Sequence, residues 1–487
     1  MRKACAANAA LIACLAGGGC MVGPKYQKPA APVTPAFKES LPEGWKRAEP
    51  NDDKIRGKWW EMYNDPELNR LEEQVAISNE NVLAFAAQYR EAAAAVKVAR
   101  SALFPTISVA PSITQSFNAS THFTSGGNVA ATGRRTFYSL PFDASWEPDV
   151  WGNIRRSVTA ASAQAQATAA DLANATLSFQ SQLAQDYFSL HGLDGDIDVL
   201  QKTVRLYAGY LKLTKDQFVA GTASDLTVAQ AEAQFEAAQA QLINYGVARA
   251  QFEHAVAVLG GKPPAKLSVE AILLKPPPPS VPVTVPSVLL ERRPDIAAQE
   301  RLMAAANEQI GIAKAAYFPT TLLTGSIGFQ ASSFTSWLTW PSRFYTVGSA
   351  VSETIFDFGK RRGTLVESEA AYHATVASYR QTVLTAFQQV EDALAAERIY
   401  QEEAGPVAQS VKTAERQLAL STAQYAAGTV DYLTVIVAQT TLLSTQLTQV
   451  NLLANRLVAN VQLIASLGGG WDLSQLPNSR DVNKAGR

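Results

Sequence analysis

Along residues 107–118 the side chains alternate. Ile107, Val109, Pro111, Ile113, Gln115 and Phe117 hold the odd positions, and Ser108, Ala110, Ser112, Thr114, Ser116 and Asn118 the even ones. Residues 138–146 repeat the pattern, with Tyr138, Leu140, Phe142, Ala144 and Trp146 on one face and Ser139, Pro141, Asp143 and Ser145 on the other. A period of two predicts strands. An apolar face opposite small polar residues, at about ten residues per strand, is the pattern of a transmembrane β-barrel. A weaker second copy follows: Leu323, Ile327 and Phe329 oppose Thr324, Ser326 and Gln330, and Tyr345, Val347, Val351 and Ile355 return. One such hairpin could equally cover a soluble core; two copies favour the membrane.

Elsewhere the period is helical. No proline occurs between Pro148 and Pro263, and residues 156–185 are crowded with Ala, Gln and Ser, which is long-helix composition. A single helix from Gly152 to Ala220 would be roughly 100 Å long at ~1.5 Å per residue. Its apolar positions form no single broad stripe, and its alanines allow close helix approach, as in a coiled-coil-like wall. The run HGLDGD at 191–196 and the pair Gly405-Pro406 are weak points where the two long helices are expected to bend.

The chain writes itself twice. FVAGTASDLTVAQ at 218–230 returns as YAAGTVDYLTVIVAQ at 425–439, with Gly221 and Gly428 separated by 207 residues. LFPT at 103–106 matches YFPT at 317–320 with an offset of 214, and VWGNIRR at 150–156 resembles DFGKRR at 357–362, with Gly152 and Gly359 again 207 apart. An internal repeat sets the architecture. In each turn the glycine is a left-handed helix cap, and Ser224 or Asp225 in the first and Asp431 in the second start a returning helix. Each half therefore reads helix, hairpin, long helix, tip, helix. The first repeat covers 65–272, with its hairpin at 106–146, long helix at 152–220 and returning helix at 225–259. A Pro-rich linker at 273–286 leads to the second, 287–467, with hairpin 320–356 and helices 361–426 and 431–467; residues 468–487 form a tail.

A barrel in lipid must close, because an open sheet edge leaves backbone groups unpaired. Four strands are too few for one chain, as known barrels begin at about eight. The barrel must be shared among copies, and the strand count alone leaves two, three or four chains open.

Composition narrows the function. The net charge is −1 and only 17% of residues are charged, so no basic face serves nucleic acid. The N-terminus reads as a targeting segment at 1–19: Arg2 and Lys3, an apolar stretch from Ala4 to Ala16, then LAGGGC. All three cysteines, Cys5, Cys14 and Cys20, lie within or at the end of it. A lone first mature cysteine serves as a lipid anchor more readily than in redox chemistry. Cys20 is the candidate; LIAC at 11–14 keeps Cys14 as an alternative. The prolines at 24, 29, 32 and 35 then describe an extended tail through residue 64. Enzyme signatures are weak: His122, His191, His254 and His373 are scattered, and GGG at 468–470 follows a helix end, so neither a metal nor a cofactor is expected. Glu391-Asp392 and Glu402-Glu403 read as solvated helix faces.

GPKYQKP at 23–29, ERRPDIAAQE at 291–300, the two FPT segments, WGNIRR, FDFGKRR, the AGT…LTV tips and LGGGW at 467–471 together resemble the outer-membrane factor family, the TolC-like (NodT-type) lipoprotein channels of multidrug efflux systems. The resemblance covers the whole mature chain. It implies an α+β membrane protein with two structural repeats per chain: a homotrimer whose shared 12-strand outer-membrane β-barrel continues into a 12-helix periplasmic α-barrel. It further implies a lipid-anchored exit channel, with N-palmitoyl and S-diacylglycerol groups on Cys20, that receives drugs or other small toxic compounds from an inner-membrane RND pump through a periplasmic adaptor. Met21 is not the aspartate that, in enteric bacteria, would hold a lipoprotein at the inner membrane.

Loops 119–135 and 331–343 would face outside, with Trp337 and Trp340 at the mouth or in the interfacial aromatic belt. Rings of identical side chains at the tips would form a periplasmic gate, drawn from Gly221, Ser224, Asp225, Gly428, Asp431, Tyr432, Leu433 and Val437. Several relatives carry an aspartate where Val437 stands, so the constriction is expected to be mainly apolar, at Leu433 and Val437. The tips are also the expected adaptor contact. Two other readings stay open: a channel for type I protein secretion or metal-ion efflux, and a lipid-anchored coiled-coil spacer without a pore.

Overall fold

The computed structural model describes residues 21–40, 42, 57–118, 133–275, 278–281, 286 and 289–485. The segment read as a signal, with Cys14 and Cys20, most of the loop at 119–135 and part of the Pro-rich linker lie outside the described residues.

The chain opens with a short 3₁₀ turn, Trp59–Tyr63, and two helices, Pro66–Ser78 and Glu80–Ser101. Strands β1 (Thr106–Val109), β2 (Ser112–Asn118) and β3 (Gly133–Trp146) follow, then the first long helix, Asn153–Val219, and its returning helix, Asp225–Leu259. The second half repeats this with Pro294–Ala315, β4 (Thr320–Ala331), β5 (Arg343–Ser352), the second long helix Lys360–Ala426 and the returning helix Tyr432–Ser466. Both long helices contain 67 residues, about 100 Å of rise.

β1 and β2 are one strand line. Both pair antiparallel with β3 in a single register, Thr106 opposite Ser145 and Ser112 opposite Ser139. The interruption falls at Ala110-Pro111, where a proline has no N–H to give the ladder. β3 then pairs with β4 and β4 with β5, so the sheet has four strand lines per chain. Directly opposed residues share a face. Val109, Phe142, Ile327 and Tyr345 line up across the sheet on one side, and Ser108, Asp143, Ser326 and Thr346 on the other. The whole apolar row is exposed. β5 ends at Ser352, so Ile355, expected on the return strand, lies beyond it and is exposed.

Neither long helix is interrupted at its expected weak point. Gly192 and Gly195 lie within the first, where an added Cβ would meet Ala454 and Val450 of the second returning helix at 2.7 Å each. These glycines serve close helix approach. Pro406 sits inside the second long helix. The main core lies at mid-length, where Leu68, Leu71 and Val75 meet Leu183, Tyr187 and Leu190 of the first long helix together with Leu394, Val461 and Ile464. The C-terminal residues are not a loose tail: Ser479–Ala485 is helical and buries Val482 against Ala93, Val96 and Ala165.

Candidate functional site: helical tips, N-terminal strap and free sheet edges

The two tips are built alike. Gly221 and Gly428 adopt φ of 72° and 73°, the left-handed conformation that suits glycine. Thr222 N–H donates to Gln217 O at 2.9 Å and Thr429 N–H to Gln424 O at 3.0 Å, the six-to-one bond of a Schellman cap. The returning helices are then capped by Ser224, whose Oγ accepts from Thr227 N–H, and by Asp431, whose Oδ1 accepts from Thr434 N–H. Asp225 occupies the first turn, where a carboxylate complements the helix dipole.

Side chains at the tips divide by direction. Tyr432, only 4% exposed, packs with Val435, Ala438, Leu418 and Ala231, its ring 5.4 Å from that of Tyr425. It ties the hairpins together and does not project from them. Leu433 and Val437 are 51% and 53% exposed, and Leu226, the repeat counterpart of Leu433, is exposed too. Tyr425 Oη donates to Gln217 Oε1 at 3.0 Å, and Tyr210 and Thr422 hydroxyls lie 3.0 Å apart. These polar contacts join the two hairpins of one chain just above the turns.

At the opposite end, residues 21–40 form a strap. Val22 N–H donates to Trp151 O at 3.2 Å, and Met21 lies over Gly152. Pro24 O accepts from Arg156 and Asn307, and Tyr26 Oη donates to Glu300 Oε1 at 2.7 Å. Arg156, almost fully buried, ion-pairs with Glu308 at 2.7 Å and lies over Gly311. Further on, the Glu391 carboxylate accepts from Lys38 N–H at 2.6 Å and Glu39 N–H at 2.9 Å, and Arg398 pairs with Glu39. Glu391 is thus half-buried under the strap, contrary to its reading as part of a solvated face. Trp59, in the segment read as tail, is fully buried in the core.

Around the sheet base aromatic side chains gather. Trp151 stacks on Phe318 with ring centres 4.7 Å apart and donates from Nε1 to Pro319 O at 2.8 Å; Phe356 and Phe358 lie edge-on at 4.4 Å and are exposed. In the loop between β4 and β5 Trp337 packs on Tyr138 at 5.5 Å, whereas Trp340 is exposed with the Arg343 guanidinium 4.5 Å over its ring.

The outer membrane efflux protein family model matches residues 71–262 and 285–469, one match for each repeat. The chain belongs to the outer membrane efflux protein family. This efflux protein is 30% identical to the solvent efflux pump outer membrane protein SrpC of Pseudomonas putida, over 96% of its own length and 98% of that protein. It is 27% identical to the outer membrane protein OprJ of Pseudomonas aeruginosa, over the full length of both. Its fold superposes on the outer-membrane channel OprN with a TM-score of 0.85 and 28% identity, covering 93% of this chain and 100% of that one. The efflux protein is thus a TolC-like α+β channel protein of the outer membrane that functions in efflux, and it is not an enzyme.

Among the described residues no helix is long and apolar enough to cross a membrane, and no group of three metal-binding side chains forms. His191 belongs to a buried network that the sequence did not disclose. Its Nδ1 lies 2.8 Å from Asp194, which also accepts from Arg249 Nε at 2.6 Å. Arg249 and Glu253 hold Val269 O and N–H at 2.9 and 2.8 Å, fastening the segment that follows the first returning helix. Burial pushes the Asp194 carboxyl up, but its bonds to His191 and Arg249 outweigh that and hold it below the usual range. The only sequence signal was the polar run HGLDGD itself, which pointed to a bend instead of a network.

Proposed function

We propose that three copies assemble into one duct: a shared twelve-strand barrel in the outer membrane, continuous with a twelve-helix tunnel through the periplasm. The observation that carries this reading is the sheet with two free edges. The β1/β2 line and β5 each have one unpaired side among the described residues, and one sheet face is apolar and exposed. In lipid such edges cost several kcal/mol per unpaired group, and closure with further copies removes them.

In this arrangement the tips converge at the periplasmic entrance, where Leu433 and Val437 narrow the pore and Ser224, Asp225 and Asp431 combine capping with a polar rim. The tips receive a periplasmic adaptor, which links the duct to an inner-membrane RND pump. Cys20 carries the diacylglycerol and palmitoyl chains, a reading supported by Met21, which packs over Gly152 at the base of the sheet. The cargo is a small toxic organic compound, a solvent or an antibiotic. Support comes from relatives named for solvent and antibiotic efflux.

Reconstitution in planar bilayers tests the reading. The wild-type duct is expected to conduct little and Leu433→Ala with Val437→Ala to conduct in larger steps, since removing branched side chains widens an apolar constriction. Silence from both, with the native mass of a trimer intact, would leave a lipid-anchored spacer as the better account.

A further inference from the structure

The sheet carries few charges. Residues 106–146 and 320–352 hold three arginines, Arg134, Arg135 and Arg343, and one acid, Asp143. Register assigns each to a face. Phe117 is opposite Arg134, Leu140 is opposite Phe329, and Phe329 is opposite Arg343, so Arg134 and Arg343 stand on the apolar side. Arg135, opposite Ser116, and Asp143, opposite Ser108, stand on the polar side. Both apolar-side arginines are exposed, and neither has a carboxylate partner among the described residues.

Their level is as telling as their face. Arg343 is 8 residues along β5 from Val351, and Arg134 is 12 residues along β3 from Trp146, counting from the ends of the strands next to the helices. At ~3.3 Å per residue and a tilt of ~40° these are rises of about 20 and 30 Å, on either side of the ~25 Å height of a barrel's apolar band. An arginine facing lipid is costly at mid-bilayer and nearly free of cost at the interface. Both guanidiniums therefore fit the rim of the band remote from the helices.

The loop between β4 and β5 is built over the same side. Phe334 and Trp337 pack their rings 5.8 and 5.5 Å from that of Tyr138, which is opposite Ile113 and Ala331 on the apolar face. The loop thus folds over that face and not across the polar one. Ser342 Oγ and Thr339 Oγ1 both donate to Ser336 O, at 2.5 and 2.7 Å, and fix its shape. Leu338 and Trp340 stay exposed. The Arg343 guanidinium lies 4.5 Å over the Trp340 ring and donates from Nη1 to Trp340 O at 2.9 Å. Ring and carbonyl hold the guanidinium in one orientation and leave N–H donors for an anion.

We propose that this rim, Arg343 on its Trp340 shelf with Arg134 as a second contact, binds the phosphate groups of the phosphorylated glycolipid in the outer leaflet. A planar guanidinium matches phosphate through paired N–H bonds, aromatic side chains favour the headgroup level, and no acid on the apolar face competes. This rests on the reading of the sheet as part of a barrel in the outer membrane and adds the lipid that its rim takes.

Lipid binding to the full lipoprotein in detergent, followed by native mass spectrometry, tests it. The probes are rough lipopolysaccharide, its dephosphorylated form and phosphatidylglycerol. Intact lipopolysaccharide is expected to bind at least ~10-fold more tightly than the other two, as charge-assisted bonds imply. Arg343→Ala with Arg134→Ala should lose that margin, Arg343→Lys should keep part of it, and Arg135→Ala, one residue away on the polar face, should keep all of it. An equal loss in Arg135→Ala would reduce the effect to net charge, and equal binding of phosphatidylglycerol would make the site one for any anionic lipid; either result overturns the proposal, as does undiminished binding by the double variant. A conducting trimer that binds lipopolysaccharide with or without its phosphates loses only this site. A monomer without conductance loses the barrel as well.

Discussion

At the scale of single residues, space and charge decide which substitutions the fold tolerates. Gly311 is a case of space: an added Cβ would run into Arg156 Cδ and Nε, and a Cβ on the facing Gly23 would sit 2.7 Å from Gly311 Cα. Displacing Arg156 would strand the buried Glu308 carboxylate, and breaking a buried ion pair costs about 3–5 kcal/mol. Gly311→Ala is therefore expected to lower the thermal midpoint of the detergent-solubilised protein and to loosen residues 22–26. An unchanged midpoint would show that the Arg156 side chain moves aside at no cost. Glu397 is a case of charge. Burial is the main cause that lifts its carboxyl to about 6 from the ordinary 4.5, with bonding to Asn460 and the Arg456 charge acting against it. A carboxyl raised in the folded state penalises the charged form, so its favourable contribution is complete below about pH 4.5 and is lost as pH rises through about 6. The expected loss is about 2 kcal/mol. Glu397→Gln should flatten that fall in the midpoint between pH 4.5 and 7 and raise stability at neutral pH; an identical pH profile in the variant would place the effect elsewhere.

Among elements, what the sequence disclosed depended on how local the cause is. Alternation in 107–118 and 138–146 reflects a pleat with one apolar face, and the strands were found there because each residue's neighbours two positions away share its environment. The tips were legible because Gly221 and Gly428 answer a local backbone need. The strap was not: Tyr26 meets Glu300, and Glu39 meets Glu391, across 274 and 352 residues of sequence, and no short-range pattern records such partners. Tyr432 was misleading for the same reason, since its burial against Leu418 and Ala231 depends on the other hairpin. The strap yields its own prediction. Glu391 accepts two backbone N–H groups, and bonds to a charged acceptor contribute about 1.5–3 kcal/mol. In Glu391→Ala the Lys38 and Glu39 amides should exchange hydrogen at least ~10-fold faster while residues 22–26 stay protected, because the local opening energy falls by more than a factor of ten in population. Uniform exchange along the strap would mean that it detaches as one unit.

On the scale of the whole molecule, the proposed lipid on Cys20 and the proposed barrel are two separate attachments to one membrane. Val22 and Met21 contact Trp151 and Gly152, where the first long helix leaves β3, and the aromatic pairs Trp151–Phe318 and Phe356–Phe358 surround that point. Aromatic side chains favour the membrane–water interface, which fits this cluster at the base of the proposed barrel. From Met21 the strap descends along helix Pro294–Ala315 to Glu391, 31 residues into the second long helix, a distance of about 45 Å. The proposed assembly makes the anchor and the barrel redundant for retention, because a closed barrel buries far more apolar surface than a few acyl chains provide. With a non-lipoprotein secretory signal in place of residues 1–19, Cys20→Ser should lose palmitate labelling, whereas Cys14→Ser in the natural chain should keep it. The unlipidated protein should nevertheless resist an alkaline carbonate wash of outer membranes. If it washes off as a peripheral protein, the acyl chains alone hold it, and the sheet does not span the bilayer. Retention without label separates a channel that carries a lipid from a spacer that depends on one.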